Sequence, residues 1–317
     1  MTLYSVPDSN PSMTENVMTD GAKISFDKHF KNIVHSPNLL AYTIKQMIPE
    51  FRDKNLETIK QHLDINPDSH RVISEDTEIP LFNGEKIILD SLFRIRTDDN
   101  MEIALEINME GQFKRNTGYP IEARAMHYAS TLLSTEKGRV FSDSHFDRMV
   151  KVYSVWFMIR PYLSEQNTIR RFGMRELLPD DECESIPAPE YDYLEIVMVH
   201  LGMPFELADE DLINVFNLVF RKDLDLQERL KRLEQDYNIP PDSCLIDSMK
   251  ESTKSYAEEL REQEIDDILI ENYAHSVASI VRIRKMSIDE AIVDLDIKEH
   301  LVRDVRYLAE KELQKEN

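Results

Sequence analysis

The chain has 317 residues, of which 41% are apolar and 31% charged, and it carries a formal net charge of −22. This is enough apolar material to pack the core of one large domain or two ordinary ones, so a disordered chain is excluded. So is a chain whose whole surface is made for phosphate, because that needs basic side chains.

In chain order, residues 1–22 form a polar leader with neither a basic start nor an apolar block, unlike a signal peptide. A helix is expected over about 37–48, with Pro37 in its first turn, Pro49 ending it, and Leu40, Ile44, Met47 and Ile48 as its apolar stripe. Residues 52–70 read as polar helix or loop, and HRVISEDTEI (70–79) as a weak strand. KIILDSLFRIR (86–96) reads as a strong strand, TDDN (97–100) as a turn, and MEIALEINMEG (101–111) as the second strand of a hairpin. YPIEARAMHYASTLLS (119–134) predicts a helix with Pro120 near its start. MVKVYSVWFMI (149–159) predicts a buried strand that is too short for the ~20 residues of a membrane helix. Residues 170–190 read as irregular and YDYLEIVMVHLG (191–202) as one more strand. From about 206 the pattern is helical, and Ser287 with Glu290 marks a capping box.

The charge is uneven. Residues 1–165 carry 24 acidic and 19 basic side chains, a net of −5; residues 166–317 carry 36 and 19, a net of −17. A local basic rim is expected after the hairpin, from Lys114, Arg115, Arg124, Lys137, Arg139, Arg148 and Lys151. Cys183 and Cys244 stand far apart without neighbouring ligands, which argues against a disulfide framework or a zinc site and for spectator thiols in a reducing cytoplasm.

The stretch EINMEGQ (106–112) carries the chemistry. With a period of two, Glu106, Asn108, Glu110 and Gln112 share one face of the strand, and Ile107 and Met109 lie on the other. Two readings are open: a solvated face of an antiparallel sheet, or a metal site. A turn centred near residue 100 sets Asp90 opposite Glu110 and Arg94 opposite Glu106, with opposed Cβ atoms roughly 5 Å apart. A turn one residue earlier weakens that pairing. Two carboxylates so close repel unless a cation lies between them, and their oxygens suit Mg²⁺ or Mn²⁺. Arg94 and Glu106 read as a cross-strand surface ion pair.

An Asp on one strand, Glu-x-Gln on the next and a following helix that opens YP and carries an Arg resemble the PD-(D/E)XK nuclease superfamily. Within it the chain is similar to the nuclease family transposases and the recombination-promoting nucleases. The stretches carrying this are FDKHFKNIV, LLAYTIKQMIPEF, ILDSLFRIR, INMEGQ, YPIEARAMHYASTLLS, KGRVFSDSHFDRMVKVYSVWF and LEIVMVHLG, spanning roughly residues 24–240. The resemblance implies an α/β, restriction-endonuclease-like mixed-sheet core (helix, three-strand meander, helix, strand) over 23–203. An all-α acidic C-terminal region follows over 204–317. It implies a Mg²⁺-dependent DNA endonuclease linked to transposition or recombination. Asp90 and Glu110 would hold Mg²⁺ or Mn²⁺, and Gln112 would take the position usually held by Lys.

Gln112 can orient a water but carries no charge and cannot be a general base. That departure keeps open an alternative: a nuclease-fold module that binds DNA or protein with little catalysis. Supporting residues are Arg124 for the phosphate, Glu106 as a rival acid in an E-x-N frame, and Asp27 in FDKHF; Lys114 and Arg115 are phosphate-binding candidates. Each also has an ordinary reading, as a surface arginine, a paired acid, a cap or a solvated loop. Glu50 reads as exposed. DNA is the expected partner, a homodimer would be needed for paired nicks, and the acidic helices would contact protein.

Overall fold

The computed structural model describes residues 28–81, 83–96, 103–112, 117–177, 185–202, 207–220, 224–255 and 257–315. Asp27, Lys114 and Arg115, the turn at 97–100 and Cys183 lie outside the described residues.

Residues 28–34 form a helix, α1. Ser36 caps the next helix, α2 (Pro37–Met47), by accepting the Leu39 N–H, and Pro37 fills its first position as expected. A short helix, α3 (Leu56–Lys60), follows. The predicted strand at 70–79 shrinks to β1 (Glu78–Pro80) and one bridge between Ile65 and Val72. The predicted strand 86–96 is broken: β2 (Lys86–Ile88) pairs with β1, and β3 (Ser91–Arg96) joins the main sheet. The break falls at Leu89–Asp90, where Asp90 turns its own amide and carboxylate toward the next strand.

The main sheet has the order β3-β4-β5-β7-β6, with β4 at Ile103–Gln112, β5 at Lys151–Met158, β6 at Thr168–Gly173 and β7 at Leu194–His200. β4, β5 and β7 run parallel; β3 and β6 are antiparallel to their neighbours. β5 and β7 are buried along nearly their whole length, as parallel strands covered on both faces are. β6 overlaps the start of the stretch read as irregular. TIRRFG is mostly exposed and has no apolar alternation, and it is held as an outer strand by pairing with β7.

Helices cover both faces of the sheet. α4 (Ile121–Thr135) buries Ile121, Ala125, Ala129 and Leu132, one per helical turn, and Ile121, Ala125 and Ala129 pack with Trp156, Ile196 and Met198. On the other face α1, α2 and α5 (Asp211–Phe220) enclose Ile107, Met109, Val155 and Phe157. α6 (Leu226–Tyr237) and α7 (Ser243–Ser255) add Leu233, Leu245 and Met249 to that same core. The sheet's core thus includes helices beyond residue 203, the last residue of the expected core. α8 (Ala257–Arg284), α9 (Ile288–Asp294) and α10 (Glu299–Gln314) build a second, separate apolar cluster. The Ser287–Glu290 capping box is present at the start of α9. Among the described residues no helix is long and apolar enough to cross a membrane.

Candidate metal centre

The observed register pairs Arg94 with Glu106 and Ser91 with Met109, so the hairpin has the register that a turn near residue 100 implies. One step further, backbone pairing gives way to bonds from side chains. The Asp90 N–H donates to Glu110 Oε1 at 3.0 Å, and the Gly111 N–H donates to Asp90 Oδ2 at 3.0 Å. Each acid is thus oriented by the main chain of the other strand.

The polar face of β4 is not solvated. Glu106 and Asn108 are 0% exposed and Glu110 is 3% exposed; Arg94 and Arg139 bond Glu106, and Asn108 donates to Ser154. Half-buried Asp90 and Gln112 mark where this face reaches solvent. The site therefore lies at the C-terminal end of a parallel strand, where open α/β sheets bind ligands.

Burial, with the charge of Asp90 added, raises the Glu110 pKa well above the ordinary carboxylate range; bonds from the Asp90 amide and Asn108 and the nearby Arg124 oppose that rise. Arg124 Nη2 stands 3.9 Å from Glu110 Oε2, and its guanidinium lies over the rings of Tyr128 at 5.0 Å and Trp156 at 5.3 Å. Lys31 Nζ stands 3.7 Å from Asp90 Oδ1.

The donor set fits a hard divalent cation. Asp90 and Glu110 supply oxygens only; the Asn108 amide donates to Glu110, and its buried Oδ1 has no hydrogen-bond partner. Mg²⁺ often binds through one or two carboxylates and keeps water and phosphate in its remaining positions. Among the described residues no group of three or more His, Cys, Asp and Glu side chains could hold a metal, so this is a two-carboxylate set.

Comparison of the chain with protein-family models, curated proteins and solved structures returned no match.

The other expected residues fall as follows. Glu106 is spent in a buried ion cluster: Arg139 Nη1 and Nη2 donate to its two oxygens at 3.0 and 2.9 Å, and Arg94 Nε donates to Oε1 at 3.1 Å. The pair with Arg94 is therefore buried on the Glu106 side, not a surface pair. Arg139 and Lys151 leave the expected basic rim, since Lys151 pairs with Asp192 and Glu195. Glu50 is exposed, as expected.

Sequence reasoning missed three residues. Gly111 is needed because a Cβ there would meet the Phe30 ring at 2.5 Å. Lys31 sits next to that anchor in the helix. Glu136, fully buried at the end of α4, accepts the Val150 N–H, and burial lifts its pKa to about 7, helped by Glu106.

Proposed function

We propose that this protein is a Mg²⁺- or Mn²⁺-dependent DNA endonuclease of the PD-(D/E)XK type, acting in transposition or recombination. The observation that carries the reading is the pairing of half-buried Asp90, just before β3, with buried Glu110 on β4, where two acids are held by main-chain donors and the Asp90 charge disfavours a charged Glu110. A protein that gained nothing from their charge would be more stable with an amide in one position.

Asp90 and Glu110 would hold the cation, which when bound would supply Lewis acidity at the phosphate and a water of lowered pKa. Gln112, at the end of the same face, orients the attacking water by hydrogen bonds. Arg124, fixed against two rings, balances the Glu110 charge and faces the phosphate. The water oxygen bonds to phosphorus as the bond from phosphorus to the leaving sugar oxygen breaks. The water proton leaves to solvent, and the leaving oxygen takes a proton from solvent. DNA approaches the near-neutral half of the chain, and the acidic helices contact protein or screen the cleft.

Gln112 favours a second reading, a nuclease-fold module that binds DNA or protein and cleaves little, because a neutral amide does not offset charge developing on the phosphate. Nicking of supercoiled plasmid at low salt with Mg²⁺ or Mn²⁺ separates the two. Cleavage by wild type that Asp90→Asn and Glu110→Gln both lose supports the nuclease. Retained DNA binding by a folded wild type that does not nick supports the module.

A further inference from the structure

Among the described residues, two cations neighbour the acid pair, Arg124 and Lys31, and they are held differently. Arg124 lies over the rings of Tyr128 and Trp156. Lys31 lies on a flexible stem with its side chain 37% exposed, and its 3.7 Å separation from Asp90 Oδ1 is longer than a hydrogen bond. The position of its backbone is nevertheless fixed. The preceding residue, Phe30, is fully buried, fills the space left by the missing Cβ of Gly111, and packs against Phe157 at 5.8 Å and Phe220 at 6.5 Å. The same glycine donates its N–H to Asp90. One contact therefore sets both the acid and the helix turn that carries the ammonium.

We infer that Lys31 is a catalytic cation of this site: without metal it neutralises Asp90, and with metal and DNA bound its ammonium moves to the scissile phosphate and supplies the positive charge that Gln112 lacks. This rests on the nuclease reading. The argument is one of charge and reach. A cation on Asp90 competes with the Lys31 ammonium for the same carboxylate, so the ammonium is displaced toward the solvent-facing side, from which phosphate arrives. A lysine suits this because it is a point charge on a rotatable stem, whereas Arg124 cannot leave its rings without losing contact.

The test compares wild type, Lys31→Met and Lys31→Arg in two measurements. In the first, Mn²⁺ is titrated without DNA and followed by thermal shift. Lys31→Met should bind Mn²⁺ more tightly, on the order of tenfold, because a competing charge is gone; Lys31→Arg should bind as wild type does. In the second, plasmid nicking at saturating Mn²⁺ should fall roughly a hundredfold in Lys31→Met and recover in part in Lys31→Arg. Lys31→Met that nicks like wild type, or that binds Mn²⁺ no more tightly, overturns the role of Lys31 alone. A wild type that neither binds Mn²⁺ nor nicks overturns the nuclease reading and this inference with it.

Discussion

Asp90 and Glu110 bond through each other's strand: the Asp90 amide donates to the Glu110 carboxylate, and the amide following Glu110 donates to the Asp90 carboxylate. These two bonds fix the acids in place although burial and the Asp90 charge disfavour ionised Glu110, so a charged Glu110 carries an electrostatic cost.

That cost gives the first prediction. Glu110→Gln keeps the shape and removes the opposed charge. The metal-free variant should melt higher than wild type, by roughly 2 °C for about 1 kcal/mol, and should lose the stabilisation that Mn²⁺ gives wild type. A melting temperature that still rises equally with Mn²⁺ would mean that Glu110 holds no metal.

Gly111→Ala should destabilise the protein by about 1–3 kcal/mol, because its Cβ meets the Phe30 ring at 2.5 Å and the helix must shift. Chemical denaturation measures this. Combining it with Phe30→Leu should recover part of the loss, since the two changes share one space.

Glu106→Gln should cost about 3–5 kcal/mol, because Arg94 and Arg139 lose the buried charge that both bind. Its Mn²⁺ affinity should stay that of wild type. Weaker Mn²⁺ binding in a folded Glu106→Gln would instead restore the E-x-N frame as the metal site.

Glu136 predicts a pH dependence. Its folded pKa, about 7, lies above its ordinary 4.5, so between those values the unfolded chain holds fewer protons at this carboxyl than the folded one. Its contribution to stability is full below about pH 4.5, declines as pH rises, and is lost above about 7, with a total of about 3 kcal/mol. In Glu136→Gln this contribution to the slope should vanish, so the variant gains on wild type as pH is raised from 5 to 8. Parallel melting curves across that range would count against a neutral Glu136.

Much of this was legible in the chain. The alternation of EINMEGQ put four polar side chains on one face, and the hairpin register followed from the turn near residue 100. A period of two, however, does not say which face is covered. That depends on α4 and Trp156, which come later in the chain and pack by shape. β6 escaped notice because its ladder with β7 holds it, while its side chains are mostly polar and exposed. The break at Asp90 was hidden because Ile87, Ile88 and Leu89 read as strand residues whether or not the next amide leaves the ladder. Lys31 gave no signal at all: FDKHFKNIV has several cations, and only the burial of Phe30 against Gly111 selects one.

The anchoring of Phe30 also orders events during synthesis. Residues 28–34 leave the ribosome early, yet Phe30 is buried only when Phe157 and Phe220 are in place beside it. These contacts span most of the core, so they form late and slowly. Until residue 220 has emerged, the nascent chain has the two acids of its hairpin but not the full packing that holds the Lys31 turn beside them.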